Sequence, residues 1–193
     1  GASAIVLEHV PEGGISVPYI RVDSSRRALA QMAANYFDHP ANSMTMIGIT
    51  GTSGKTTSTY LIKSILEQKA GAKVGLIGTI QNMIGDRVLH TERTTPESFE
   101  LQKLFRRMSD AGCTHVVMET SSHALYLDRV YGVRYDVGIF TNLTQDHLDF
   151  HKTMENYCDA KAILFRNCVT GVVNADDPWT PRLLKDADCK VMT

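Results

Sequence analysis

The sequence predicts an α/β fold, a doubly wound and mostly parallel sheet. Short apolar runs of strand length, at residues 44–49, 115–119, 136–141 and 169–174, alternate with longer stretches of helical periodicity. The first of these runs leads through a glycine-rich loop straight into a helix. The residues best suited to chemistry follow the ends of the expected strands, where such sheets bind ligands.

The elements follow in order. Residues 4–7 and 19–22 read as short strands around a Pro11-Glu-Gly-Gly14 turn. Ser24 or Ser25 can cap a helix with Ala28, Leu29, Met32, Ala33, Tyr36 and Phe37 as its apolar face. Pro40-Ala-Asn-Ser43 reads as a linker. Strand 44–49 is followed by helix 55–69, with Leu61, Ile62, Ile65 and Leu66 expected inward and Gly71 as its stop. Strand 73–80 leads to a turn at Gly85-Asp86. Helix 97–111 places Leu101, Leu104, Phe105 and Met108 at i, i+3, i+4 and i+7, one buried stripe. Strand 115–119, strand 136–141, helix 153–166, strand 169–174, a helix from about Pro178 and a strand at 189–193 complete the chain. The first and last residues read as cut strands, so the expected organisation is a piece of a longer protein.

The bulk properties narrow the function classes. The chain has 193 residues, 43% apolar and 21% charged, and a net charge of −1. That is an ordinary soluble composition, with no general attraction for nucleic acid or anionic membranes. No apolar run approaches the ~20 residues of a membrane span, and no signal peptide is visible. Cys113, Cys158, Cys168 and Cys189 have no CxxC spacing, so reduced thiols in a cytoplasmic protein are expected.

The segment Gly48-Ile-Thr-Gly-Thr-Ser-Gly-Lys-Thr-Thr57 carries the strongest chemical signal. Gly51 and Gly54 allow backbone N–H groups to turn toward an anion, and the N-terminus of the next helix adds partial positive charge. Lys55 can reach the outer phosphates of a nucleoside triphosphate, and the Thr56 hydroxyl can ligate Mg²⁺. The standard motif has its first glycine where Ile49 stands. A solvated Gly/Ser/Thr turn explains the flanking strand and helix less well.

A second layer lies at the later strand ends. His115-Val-Val-Met-Glu119 ends in a carboxylate suited to Mg²⁺ beside phosphates. His147 follows the next strand; its chemistry fits an unusual metal ligand, a substrate-orienting group or a structural hydrogen-bonder equally. His147 and His151 are four apart, but Leu148 occupies the glutamate position of a zinc-protease motif, which excludes that class. His123, after two serines, reads as a supporting hydrogen-bonder. Taken alone, Lys161 reads as a solvated helix lysine.

Together these residues resemble the Mur ligase family, and most closely its MurE type. The markers are Thr50-Gly-Thr-Ser-Gly-Lys-Thr-Thr57, Thr94-Thr-Pro96, Met118-Glu-Thr-Ser-Ser-His123, Arg129-Val130, and Phe140-Thr-Asn-Leu-Thr-Gln-Asp-His-Leu-Asp-Phe-His151. Lys152-Thr-Met-Glu-Asn-Tyr157 and Ala160-Lys-Ala162 complete the set. They run from about Ser24 to the end. The resemblance implies that residues 1–40 are the tail of an N-terminal UDP-substrate-binding domain with its linker. Residues 41–193 would be the central ATP-binding domain, and a C-terminal domain would be absent.

It further implies that Gly51, Thr52, Ser53, Gly54, Lys55, Thr56 and Thr57 bind ATP. Thr56, Glu119, His147 and Lys161 would serve the Mg²⁺ centre, with Lys161 carbamylated. Lys55, Glu119, His147 and Lys161 would be catalytic. Thr94, Thr95, Ser121 and Arg129 would hold the substrate, a UDP-N-acetylmuramoyl-dipeptide. The implied reaction adds a diamino acid, lysine or diaminopimelate, through an acyl phosphate in peptidoglycan synthesis. The expected protein is monomeric, and the fragment alone weak or inactive. Ser53 stands where the family usually has Asn, a small polar exchange. Related ligases remain as rivals. Folylpolyglutamate synthase usually has Gly-Ser after the loop lysine, unlike Thr56-Thr57, whereas cyanophycin synthetase shares more of the loop. A non-catalytic nucleotide-binding module would not need Glu119, His147 and Lys161 together.

Overall fold

The computed structural model describes residues 1–193. Its N-terminal part holds β1 (Ile5–Leu7), β2 (Tyr19–Arg21) and α1 (Ser25–Tyr36). β1 and β2 pair in parallel, with Ile5 opposite Tyr19. The Pro11–Gly14 turn therefore lies inside a longer return loop and does not close a hairpin. Ser24 caps α1, its side chain accepting from the Arg27 N–H.

The expected inner face of α1 is corrected. Ala30 and Ala33 are buried, while Leu29, Met32 and Tyr36 are exposed, Tyr36 by 76%. The helical period found the apolar stripe but not which edge of it has a partner; small alanines are what allow a close approach. Residues Pro40–Ser43 form a 3-10 turn with Pro40 buried, rather than an open linker.

The main part alternates as expected: β3 (Thr45–Thr50), α2 (Lys55–Ala70), β4 (Val74–Ile77), β5 (Asn82–Ile84), β6 (Arg87–Leu89), α3 (Ser98–Asp110) and β7 (His115–Glu119). Then come α4 (Ser122–Tyr126), β8 (Tyr135–Phe140), α5 (Leu148–His151), α6 (Met154–Ala162), β9 (Cys168–Val173), α7 (Thr180–Leu183) and β10 (Lys190–Met192). The eight strands lie in the order β10-β9-β8-β3-β7-β4-β5-β6. All neighbours from β10 to β4 are parallel, and β5 and β6 add an antiparallel edge. That edge hairpin, α4 and α5 are not among the sequence expectations. Three- to five-residue elements are too short to display a period.

β3 is central, flanked by β7 and β8. The chain leaves β3 through α2, reaches β4, and returns to fill the gap with β7 before crossing to β8. The ends of β3, β7 and β8 thus open side by side, as doubly wound sheets place a ligand crevice. The larger core lies on the face covered by α3, α4 and α6, and includes Leu101, Leu104, Phe105 and Met108 as expected. The smaller one, Ile47, Ile49, Val74 and Val117, lies under Ile62 and Leu66 of α2. Leu61 and Ile65, expected inward, are more than half exposed. α2 rests on the sheet along a narrow strip, so only one edge of its apolar stripe is covered.

Candidate functional site

β3 delivers the glycine loop at its buried end, Thr50. Gly51 has φ of 151°, and a side chain there would collide with the Thr141 hydroxyl. Gly54 is left-handed, φ 85°, and starts α2. Only glycine adopts such a pair of conformations without strain. The loop is held from the end of β8. Asn142 accepts from the Ser53 N–H at 3.0 Å and donates to the Ser53 carbonyl at 3.1 Å. The Thr141 hydroxyl donates to that carbonyl at 2.7 Å. This clamp was not anticipated, although Asn142 directly follows an apolar strand, the position where such sheets carry function.

Lys55, the first residue of α2, folds back onto the loop. Its ammonium donates to the carbonyls of Gly51 at 2.8 Å and Thr52 at 2.9 Å. Burial lowers its pKa, opposed by the charges of Glu119 and Asp146. One residue further, the Thr56 hydroxyl donates to Glu119 Oε1 at 2.9 Å.

Glu119 ends β7 and is fully buried. Besides Thr56, it accepts from the Thr79 N–H at 2.9 Å and from the Thr79 hydroxyl at 3.0 Å. The Thr79 hydroxyl also lies 3.0 Å from that of Thr94. Thr79, beyond the end of β4, is a site residue that the sequence reading missed.

Lys161 is not a solvated helix lysine. It is 1% exposed, and its ammonium donates to the Gly51 carbonyl at 3.0 Å. It also lies 4.3 Å above the ring of Tyr157. Burial, then the neighbouring charge of Lys55, pushes its pKa down to about 7. Two amines therefore meet at one carbonyl oxygen, with no carboxylate hydrogen-bonded to either. Such a pair calls for an anion, or for loss of a proton from the more buried amine. Tyr157, whose hydroxyl lies 3.3 Å from that of Thr52, is a further wall residue without an anticipated role.

His147 has a left-handed backbone, φ 52°. For a non-glycine residue this costs about 1–2 kcal/mol. Its imidazole lies 3.5 Å from the Asp146 carboxylate and packs edge-on to His123. His123 acts through ring packing, against His147, Phe150 and His151, rather than as the expected hydrogen-bonder. His151 is buried against the Ser122 hydroxyl at 2.9 Å, and burial pushes its pKa down to about 4.

A polar cavity of about 200 Å³ gathers most of these groups. Gly51, Thr52, Gly54, Lys55, Thr56, Thr57, Thr94, Glu119, Ser121, His147 and Lys161 line it, with Thr79, Ser122 and Tyr157. Ser53, Thr95 and Arg129 do not. Ser53 is occupied by the Asn142 clamp. Thr95 is buried, its hydroxyl donating to the Glu119 carbonyl at 2.9 Å and accepting from the Ser121 N–H at 3.1 Å, so it braces the wall instead. Arg129 is turned to Glu97, 2.9 Å away, and to the Thr95 carbonyl.

The cavity suits a compact anion, since the amines of Lys55 and Lys161 line it together with Glu119 and the hydroxyl of Thr56. It is smaller than the ~300–1,000 Å³ that encloses a whole drug-sized ligand, so it fits the phosphate end of a nucleotide. No three His, Cys, Asp or Glu side chains converge on a common metal position. A divalent ion here would rely on Thr56, Glu119 and oxygens of a bound phosphate, a set that matches Mg²⁺.

Residues 49–193 match the Mur ligase middle domain family. The chain is 57% identical over 177 residues to UDP-N-acetylmuramoyl-L-alanyl-D-glutamate–2,6-diaminopimelate ligase of Clostridium tetani, covering 92% of this chain and 36% of that protein. It is 56% identical to a ligase of the same name, numbered 1, from Clostridium acetobutylicum, covering 97% of this chain and 39% of that protein. A solved structure of a ligase so named superposes with a TM-score of 0.84 at 28% identity, over all of this chain and 40% of the other. The chain thus spans well under half the length of these relatives.

Proposed function

The chain belongs to the Mur ligase family, and on that premise we propose that it forms the ATP-binding centre of a ligase that adds a diamino acid to UDP-N-acetylmuramoyl-L-alanyl-D-glutamate in peptidoglycan synthesis. The observation that carries this reading is the meeting of Lys55, Thr56, Glu119 and Lys161 in one anion-sized cavity. Residues 1–40 are the tail of a UDP-substrate domain, and residues 41–193 are the central domain. The names of the close relatives favour 2,6-diaminopimelate over lysine as the added amine.

In this reading the loop N–H groups, the start of α2 and Lys55 bind the phosphates of ATP. The substrate's terminal carboxylate attacks the γ-phosphorus, giving an acyl phosphate and ADP. The amine then displaces phosphate to form the amide. Lys55 stabilises charge on the transferring phosphoryl oxygens. Thr56 and Glu119 would hold Mg²⁺, with His147 beside them, and the ion would neutralise phosphoryl charge. Lys161 suits carbamylation. Its lowered pKa leaves a large neutral fraction just above neutrality, and the free amine nitrogen can bond the carbon of CO₂ and release one proton. The carbamate would give the two-amine cluster its missing negative charge.

The test is phosphate release by the full-length protein with ATP, Mg²⁺, the nucleotide dipeptide and a panel of amines. The expected result is turnover that requires both the dipeptide and 2,6-diaminopimelate and is lost in Lys55→Ala and Lys161→Ala. Nucleotide binding without acceptor-dependent turnover would overturn the proposal in favour of a relative with another acceptor or a non-catalytic module.

A further inference from the structure

Cys168 and Cys189 are separated in sequence and adjacent in the sheet. Cys168 starts β9, and Cys189 immediately precedes β10. Lys190 stands opposite Thr170, so the parallel register carries Cys189 level with Val169, one residue along from Cys168. Such a diagonal step separates Cα atoms by about 6 Å, inside the ~4.4–6.8 Å range that a disulfide spans.

Two glycines make room for the side chains. Gly138 of β8 and Gly171 of β9 are register partners. A Cβ on Gly138 would stand 3.0 Å from the Cys168 sulfur, and one on Gly171 would stand 2.9 Å from the Cys189 sulfur. Leu164 and Phe165, consecutive in the chain, pack over the same two glycines. Both sulfurs therefore lie on one face of the sheet. Cys168 belongs to the larger core there, and Cys189 packs against it. The Cys189 side chain acts directly on the Cys168 thiol, by charge and by hydrogen bonding. No cysteine is among the groups that act on Cys113 or Cys158.

We propose that Cys168 and Cys189 form a thiol–disulfide latch, open when reduced and closed by a small disulfide compound into a covalent tether between β9 and the edge strand β10. This is independent of the ligase reading above. Cys189 is the more exposed of the two, and burial pushes the Cys168 thiol up to about 12, so Cys189 reacts first. Its thiolate attacks one sulfur of the small disulfide and expels a thiolate. Cys168 then gives up its proton, attacks the Cys189 sulfur and expels the second thiolate. The two protein thiols are oxidised, the small disulfide is reduced to two thiols, and the two protons pass to the expelled sulfurs. The closed loop, residues 168–189, contains Asn174 and Asp177. Asn174 donates to the Thr141 carbonyl at 3.2 Å, and Asp177 accepts from the Leu143 N–H at 2.7 Å. The latch thus bears on the end of β8 that clamps the glycine loop.

The experiment incubates the full-length protein with reduced or oxidised glutathione and maps its peptides without reduction. The expected product is a Cys168–Cys189 crosslink, lighter by two hydrogens and reversed by dithiothreitol. Closing this loop should raise Tm by roughly 3–8 °C and slow amide exchange in β10 by roughly tenfold. Cys189→Ala, which leaves the buried Cys168 in place, should lose the crosslink and both shifts, and Cys168→Ala should do the same. Free thiols after oxidation, a mixed disulfide that stops at Cys189, or a crosslink in another pairing would overturn the inference. A Cys168–Cys189 crosslink that leaves Tm and β10 exchange unchanged would overturn the latch.

Discussion

Lys161 shows how much a single residue owes to its surroundings. In sequence it is a lysine on a helix; in the fold it is sealed beneath the glycine loop. Its pKa falls from the usual 10.5 to about 7. Between those values the unfolded chain holds a proton that the folded chain has lost. Stability contributed by this group therefore rises with pH across that window and is flat below it. The full penalty, present below pH 7, is on the order of 3–5 kcal/mol. Lys161→Met, without nucleotide or bicarbonate, should raise stability at pH 7 by roughly 1–4 kcal/mol. The gain should shrink toward pH 10. Urea unfolding across that range checks both, and a pH-independent difference would contradict the buried-amine account. Arg129 makes the opposite point: its presence was legible, but its partner was not. In the sequence Glu97 only marks the start of a helix, and packing alone brings it within 2.9 Å of Arg129.

The helices differ in how far their patterns can be trusted. α3 was read correctly in type, extent and buried face because its stripe lies fully against the sheet. α2 also carries apolar residues at neighbouring turns, Leu61, Ile62, Ile65 and Leu66, but Leu61 and Ile65 face outward. The two helices make a paired prediction. Phe105→Ala, at a completely buried position, should cost about 3–5 kcal/mol. Leu61→Ala should cost no more than about 0.5 kcal/mol. Chemical denaturation measures both, and a large loss at Leu61 would mean that the outer face of α2 has a partner. α4, α5 and the edge hairpin escaped the reading because they are formed by capping, ring packing and sheet pairing. The Ser121 side chain, for example, caps α4 by accepting from the Ala124 N–H.

At the scale of the molecule, the site exists because of strand order. β3, β7 and β8 bring residues about seventy and ninety positions apart in sequence to one rim. ADP with Mg²⁺ should therefore stabilise the whole chain rather than a local loop. At a hundred times the Kd, about 2.7 kcal/mol of linkage raises Tm by roughly 5–10 °C for a chain of this size. Gly51→Ala should abolish the shift, since the added methyl group collides with the Thr141 hydroxyl. Differential scanning calorimetry gives the answer, and an undiminished shift in the variant would place the nucleotide elsewhere.

The sequence alone determined the fold class, the glycine loop between strand and helix, the buried stripe of α3 and the strand-end position of Glu119. Each rests on short-range rules: a period, a glycine spacing, or the switch from strand to helix. The tertiary structure alone decided that Lys161 is buried and close to neutral, that Thr79 and Tyr157 belong to the cavity, and that Thr95 braces its wall. It also decided that Arg129 turns toward Glu97, and which edges of α1 and α2 are covered. These depend on desolvation and on contacts between segments far apart in sequence, which no local pattern encodes.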